Sequence, residues 1–197
     1  MPQDLSAVRW PVLTDRLAIR PATADDADAM FDIRSRPDVA EWLPILPTDR
    51  AAWAERFADP DRLAMTLAFE LNGEIIGDLF LRVTDAWAQA EVEDQAKKTQ
   101  AEIGWVLTPE HAGHGYATEG ARELLRICFE DLGLRRVVAL SFADNVASRR
   151  IMEKVGMRQE EHAVRDSLHR SRGWLDGVGY AILAEEWRAG AGRPDGG

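Results

Sequence analysis

The segment Pro109-Glu110-His111-Ala112-Gly113-His114-Gly115-Tyr116-Ala117-Thr118-Glu119 sets two glycines between an apolar, strand-like run and a long helical pattern. Glycines there let the backbone come close to a ligand. The first turn of a helix offers N–H groups and the positive end of a dipole to an anion. That is the chemistry of a pyrophosphate cradle. Two other phosphate motifs do not fit: no Lys-Ser/Thr follows as in a P-loop, and the third glycine of a dinucleotide fingerprint would fall at Thr118. The plain alternative is that Gly113 and Gly115 only make a tight turn. A second segment, Asn145-Val146-Ala147-Ser148-Arg149-Arg150-Ile151-Met152-Glu153-Lys154-Val155-Gly156-Met157, follows the next strand, so both loops can open on one edge of a sheet. His111 and His114 have a side chain suited to proton transfer. Flanking such a loop, they read instead as solvent-facing turn residues or charge-assisted phosphate contacts.

The elements that must hold these loops are legible from periodicity. Leu17-Ala18-Ile19-Arg20 alternates like a strand, and Thr23 is placed to cap a helix rich in early Asp. A further helix restarts at Thr48-Asp49 and presents Trp53 and Phe57 at i, i+4. Residues 63–71 and 74–83 read as antiparallel strands joined by Asn72-Gly73, a strong hairpin signal. Residues 85–100, polar and Ala-rich, are ambiguous between short helix and loop. Ala101 to Leu107 reads as a largely buried strand, residues 116–132 as a helix ended by Gly133, and Arg136 to Leu140 as a buried strand. Asp144 or Asn145 caps a helix running to Val155, and strands over 157–168 and 173–183 close the domain. The order is strand, helix, helix, three strands, helix, strand, helix, two strands, which makes an α/β domain with a mixed sheet.

Composition bounds the chemistry. The 197 residues hold 24 Lys and Arg against 34 Asp and Glu, a net charge of -10, the wrong sign for docking phosphate backbones. The seven tryptophans form no stripe for stacking bases. Trp105 and Trp187 read as core, while Trp42 and Trp87 fall in irregular segments that can line an entrance. A single cysteine, Cys128, and four histidines at no zinc-ligand spacing argue against a disulfide framework or a metal site. The start, Met1-Pro2-Gln3-Asp4-Leu5, has no basic segment before an apolar stretch, and no apolar run nears the roughly 18 residues of a membrane span. A cytoplasmic location without membrane contact is the default expectation. The length suits one domain over 1–187, and the Gly/Ala/Pro-rich tail, 188–197, cannot bury apolar surface. The acidic surface can steer cationic substrates such as amines, or serve solubility alone.

Together the two loop segments resemble the GNAT superfamily of acetyl-CoA-dependent N-acyltransferases. Gly115 and Ala117 match the small residues of its Q/R-x-x-G-x-G/A loop, and residues 145–157 look like its N-x-x-S-x-x-x-x-x-K-x-G-F pattern. The opening Thr14-Asp15-Arg16-Leu17-x-Ile19-Arg20-Pro21 and the closing Glu185-Glu186-Trp187 are similar to the RimJ/RimL-like branch, which includes acetyltransferases of protein N-termini. The resemblance implies a single GNAT-type α/β domain, its mixed, mostly antiparallel sheet flanked by helices, and acetyl-CoA as acyl donor. Departures are Ala112 for Gln or Arg, Met157 for Phe, and Met152 where many relatives carry the tyrosine that protonates the leaving thiolate.

The roles below are what that resemblance implies. Trp105, Val106 and Leu107 pair through their backbone with the pantetheine arm, and a bulge there points an N–H at the thioester carbonyl. Gly113, His114, Gly115, Tyr116, Ala117 and Thr118 cradle the pyrophosphate. Asn145 bonds the pantetheine or acetyl end, caps its helix, or does both. An ammonium near pKa 10 has no lone pair, so a base must take its proton. Glu102 is the first candidate for that base, against the reading of an exposed strand residue, with Asp78 and Asp176 behind it. Ser148, one turn beyond Asn145, is the substitute acid or a capping hydroxyl. Tyr180 reads as core, with substrate contact as the alternative. The acceptor expected is a protein or peptide N-terminal amine. A small amine such as an aminoglycoside or polyamine stays open, as do a non-catalytic acyl-CoA-binding sensor and the choice between monomer and homodimer.

Overall fold

The computed structural model describes residues 4–190. A two-residue strand that periodicity did not show, β1 (Val12–Leu13), pairs antiparallel with β2 (Leu17–Pro21), whose Leu17 and Ile19 point into the core as the alternation requires. Thr23 and Asp26 form a capping box, and helices α1 (Ala27–Arg34) and α2 (Pro37–Ala40) follow. Asp49 caps α3 (Arg50–Phe57) by accepting the Ala52 N–H at 2.8 Å. Trp53 and Phe57, buried one turn apart, pack with Ala22, Ala27, Met30 and Ala68 in one apolar cluster.

The strand expected from Leu63 begins three residues later. Asp59-Pro60 starts a helix instead, α4 (Pro60–Ala64), because Asp59 accepts the N–H groups of Asp61 and Arg62 and the proline occupies the first turn. Leu63 packs on the Trp53 cluster from this helix. Strand β3 (Thr66–Leu71) then pairs antiparallel with β4 (Glu74–Thr84) across Asn72 and Gly73, whose φ of +53° and +83° are those of a two-residue hairpin loop. The ambiguous stretch after β4 is helix and loop together: a 3₁₀ segment spans Ala90–Ala96, Ala86 N–H bonds Ala96 O, and Asp85 accepts the Lys98 N–H.

Beyond it come β5 (Gln100–Leu107), α5 (Tyr116–Arg126) and β6 (Arg136–Phe142). The expected helix to residue 132 changes character at Ile127, where a π turn, Ile127–Asp131, leads to Gly133 at φ +66°. Last are α6 (Val146–Lys154), β7 (Arg158–His169), β8 (Gly173–Leu183) and α7 (Ala184–Arg188). The strand order is β1-β2-β3-β4-β5-β6-β8-β7. β5 and β6 run parallel, whereas the pairs β1/β2, β2/β3, β3/β4, β6/β8 and β7/β8 are antiparallel. The α/β class and the mixed, mostly antiparallel sheet are as expected.

By contacts the chain divides into two compact units, with boundaries inside β4, β5 and α5: residues up to Leu81 with Trp105–Glu123, and Arg82–Gly104 with the residues from Leu124 onward. The first centres on the Trp53 cluster. The second buries Leu124, Leu125, Cys128, Val137, Met152, Val155 and Ile182. Arg188, assigned to the tail, still ends α7; residues 191–197 and Met1–Gln3 lie outside the described residues. No helix among the described residues is long and apolar enough to cross a membrane. Trp187, expected in the core, is half-buried against Phe129, with its indole N–H on Glu130.

Candidate functional site

In the first unit the chain leaves β5 through Thr108, whose N–H bonds Ile76 O at 2.9 Å, and makes a 3₁₀ turn over Pro109–His111. Gly113 and Gly115 both stand at φ +82°, in the left-handed region that side chains rarely enter, so the turn needs glycine at both positions. The first bond of α5 is Glu119 N–H to Gly115 O, at 3.0 Å. The N–H groups of Tyr116, Ala117 and Thr118 come before it and point out of the helix start, as an anion requires. Residues 112–115 are exposed and 116–119 half-buried.

Arg16 brings a positive charge to this loop. Its guanidinium donates to Glu119 Oε2 from Nε at 2.7 Å and to His114 O from Nη1 at 2.9 Å, and its Cζ lies 4.5 Å over the Tyr116 ring. A Cβ placed on Gly115 would lie 3.5 Å from Arg16 Nη2. Thr14 donates its hydroxyl to Glu119 Oε1 at 2.5 Å. Burial pushes the Glu119 carboxyl up, but the hydrogen bonds from Thr14 and Arg16 outweigh it and hold the group below the ordinary carboxylate range. His114 stacks on Tyr116, ring centroids 5.7 Å apart, and His111 Nδ1 lies 2.7 Å from the Thr108 hydroxyl. Both histidines are thus turn residues with local partners. Sequence reasoning placed Arg16 only in a matching motif, since a contact with Glu119 at a separation of 103 residues leaves no local trace.

Val106 is buried, while Trp105, expected in the core, and Leu107 are half-buried. Gly77 of β4 was overlooked as a site residue. A Cβ there would sit 2.0 Å from Val106 O, so only glycine lets β4 approach β5 at this point. A glycine inside a strand pattern was the available signal. Register shifts in the sheet lie at Phe69/Glu70 of the β3/β4 pair and at two places in the β7/β8 pair. Asp78, the next residue, is buried and takes Arg34 on both oxygens, at 2.8 and 2.5 Å. With both oxygens in a closed ion pair, Asp78 is ill suited to accept a substrate proton.

In the second unit Glu102 lies beside Val138 of β6 and forms an ion pair with Arg82. Sequence reasoning missed Arg82, because the partnership depends on strand placement. Asn145 is the N-cap of α6, its Oδ1 accepting the Ser148 N–H at 3.1 Å. Ser148 therefore joins the cap by its backbone, and among the described residues its hydroxyl has no partner. Met152 is buried in the core and offers no proton. Tyr180 is buried too; its hydroxyl donates toward Glu153 Oε1 at 3.0 Å and accepts Arg149 Nε at 3.3 Å. Asp176, the other reserve base, is held below the usual carboxylate range by His162 and by the Arg165 N–H. Trp87 is exposed and Trp42 half-buried.

Residues 16–158 match a family described as an acetyltransferase (GNAT) domain. The uncharacterized N-acetyltransferase YoaA of Bacillus subtilis is 28% identical over 183 residues, covering 88% of this chain and 97% of that protein. Another from the same organism, YnaD, is 40% identical over 86 residues, 44% of this chain and only 50% of YnaD. Among solved structures, a GNAT-family acetyltransferase from Bacillus anthracis superposes with a TM-score of 0.74 at 29% identity, covering 89% of this chain and 99% of its own. RimJ of Mycobacterium smegmatis, in complex with CoA-disulfide, shares the fold with a TM-score of 0.71 at 24% identity, over 90% of both chains.

Proposed function

The chain belongs to the GNAT acetyltransferase family and is an N-acetyltransferase; on that premise we propose that its donor is acetyl-CoA and its acceptor the N-terminal amine of a protein or peptide. One observation carries the donor assignment: two left-handed glycines lead into a helix start whose N–H groups precede the first helical bond, with the Arg16 guanidinium alongside. That arrangement suits a diphosphate, where backbone donors and a fixed cation act together. The donor supplies an activated acetyl thioester. In this reading Gly113 to Thr118 hold its diphosphate, Trp105 to Leu107 hold its arm by backbone bonds, and Asn145 orients its acyl end. Glu102 takes the proton of the amine, directly or through water, and the Ser148 hydroxyl gives one to the departing sulfur.

The acceptor follows from what acid–base equipment is present. Glu102 is held in an ion pair with Arg82, and Met152, buried in the core, removes one candidate acid. An α-amino group, of reference pKa about 8, is about one-tenth neutral at pH 7, whereas a lysine-like amine of about 10.4 is neutral in well under one part in a thousand. A terminal amine thus asks less of this base. The resemblance of both chain ends to the RimJ/RimL-like branch points the same way. The charge of -10 favours a second reading, a polyamine or aminoglycoside drawn in by the acidic surface. Thiol release from acetyl-CoA, measured against N-terminal peptides, aminoglycosides and polyamines, decides between them. The highest kcat/KM is expected with peptides. A preference for polyamines overturns the acceptor assignment, and acetyl-CoA binding without thiol release from any acceptor would identify a sensor.

A further inference from the structure

Three helices of the first unit carry Arg34, Arg56 and Arg62, and among the described residues only one of these charges is closed by a carboxylate. Arg34 is locked to Asp78. Arg62, on α4, is half-buried, and among the described residues its guanidinium makes no hydrogen bond or ion pair; its Cζ lies 5.5 Å from the centroid of the buried Trp53 ring. Arg56 on α3 is exposed and equally without a carboxylate partner among the described residues. Arg16, Arg20, Arg36, Arg50, Arg82 and Arg158 are, by contrast, ion-paired. Burial, and then repulsion by Arg56 and Arg34, push the Arg62 guanidinium below the ordinary arginine value, against weaker attraction from Asp78 and Asp59. A partly desolvated cation among like charges is destabilised until an anion joins it.

The backbone beneath Arg62 is held at both ends: its N–H bonds Asp59 Oδ1 at 3.2 Å, and its carbonyl accepts the Thr66 hydroxyl at 2.9 Å. Asp78, one of the groups whose field Arg62 feels, follows Gly77, the residue that lets β4 close onto Val106. We infer that the acceptor amine carries a carboxylate and that Arg62 receives it, with Arg56 adding to the local field. Arg62 is then a specificity-determining residue. The inference rests on the N-acetyltransferase reading, and the carboxylate can be an acidic side chain near a peptide N-terminus or the α-carboxylate of a free amino acid.

Two matched pairs of acceptors separate these sources: Glu-Ala-amide against Gln-Ala-amide, and alanine against alaninamide. In the parent protein one charged member should exceed its neutral partner about 10- to 100-fold in kcat/KM, mainly through KM, the usual worth of a charge-assisted hydrogen bond. Arg62→Gln should bring that ratio close to one, and Arg62→Lys should restore part of it. Equal use of charged and neutral acceptors, or a preference that survives in Arg62→Gln, overturns the inference while leaving the transferase reading intact. Calorimetric titration with Glu-Ala-amide and with alanine gives a readout independent of turnover. Binding that is lost in Arg62→Gln at unchanged Tm supports the carboxylate site even if no acceptor is acetylated, in which case it is the transferase reading that fails. Binding insensitive to Arg62→Gln overturns the site.

Discussion

Glu102 and Arg82 form an ion pair, and that partnership separates two roles for the carboxylate. As the base, Glu102 is indispensable and Arg82 is not. Glu102→Gln is then expected to lower kcat about 100-fold near neutral pH, the usual worth of general-base catalysis, with the loss shrinking as pH approaches the amine's own pKa. Arg82→Gln breaks the same pair but leaves the carboxylate, so kcat should stay within about tenfold. Equal losses in both variants, measured as pH–rate profiles, would make the pair structural and remove Glu102 from the mechanism. Ser148 admits an equally sharp test because the cap uses its N–H and leaves its hydroxyl unengaged. Ser148→Ala should reduce kcat about 10- to 100-fold with acetyl-CoA affinity unchanged, since a group acting mainly in the transition state contributes little to ground-state binding. Its Tm should match the parent's. A weakened affinity at intact kcat would instead make Ser148 a donor ligand.

At the scale of elements, the passage from β5 to α5 is built from a 3₁₀ turn, two left-handed glycines and a helix start whose Glu119 is clamped to the β1–β2 turn by Thr14 and Arg16. Gly115→Val strikes this passage twice. A β-branched residue at φ +82° strains the backbone by about 1–2 kcal/mol or more, and its side chain would occupy space beside Arg16 Nη2. Isothermal titration should show acetyl-CoA binding abolished while circular dichroism shows a folded protein with a lowered Tm. Unchanged affinity would refute the cradle. Gly77 stands at a second juncture, where the approach of β4 to Val106 leaves no room for a Cβ. The same local economy explains α4: a capping Asp59 followed by Pro60 outweighed the apolar run through Leu63 that suggested a strand.

For the whole molecule, acid sensitivity follows from carboxylates whose pKa falls on folding. Hydrogen bonds from Arg20 hold Asp26 below its ordinary value, and those from Thr14 and Arg16 do the same for Glu119 against the effect of burial. A depressed folded pKa contributes stability that is present above the unfolded value, about 4 for these groups, and is lost as pH falls through the folded value. Urea midpoints should therefore stay nearly level from pH 7 to about 5 and drop steadily below about 4. A midpoint that holds to pH 3 would show that these pairs contribute nothing net. Many other ion pairs, such as Arg50 with Asp28 and Asp32, are exposed and should matter little.

What was legible in the sequence is what a few neighbouring residues encode: the Asn72-Gly73 hairpin, the caps at Asp49 and Asn145, and the glycine loop ahead of α5. Each is a contest among local backbone conformations, and the residue types present settle it. The α/β class followed from the order of such elements. Only the tertiary structure decided which charges meet, because that depends on which strands become neighbours. Arg82 finds Glu102 across 20 residues of sequence, Arg34 finds Asp78 across 44, and Arg16 finds Glu119 across 103. It likewise left Arg62 without a carboxylate partner among the described residues. A guanidinium's environment is set by the fold around it, and no spacing in the chain announces it.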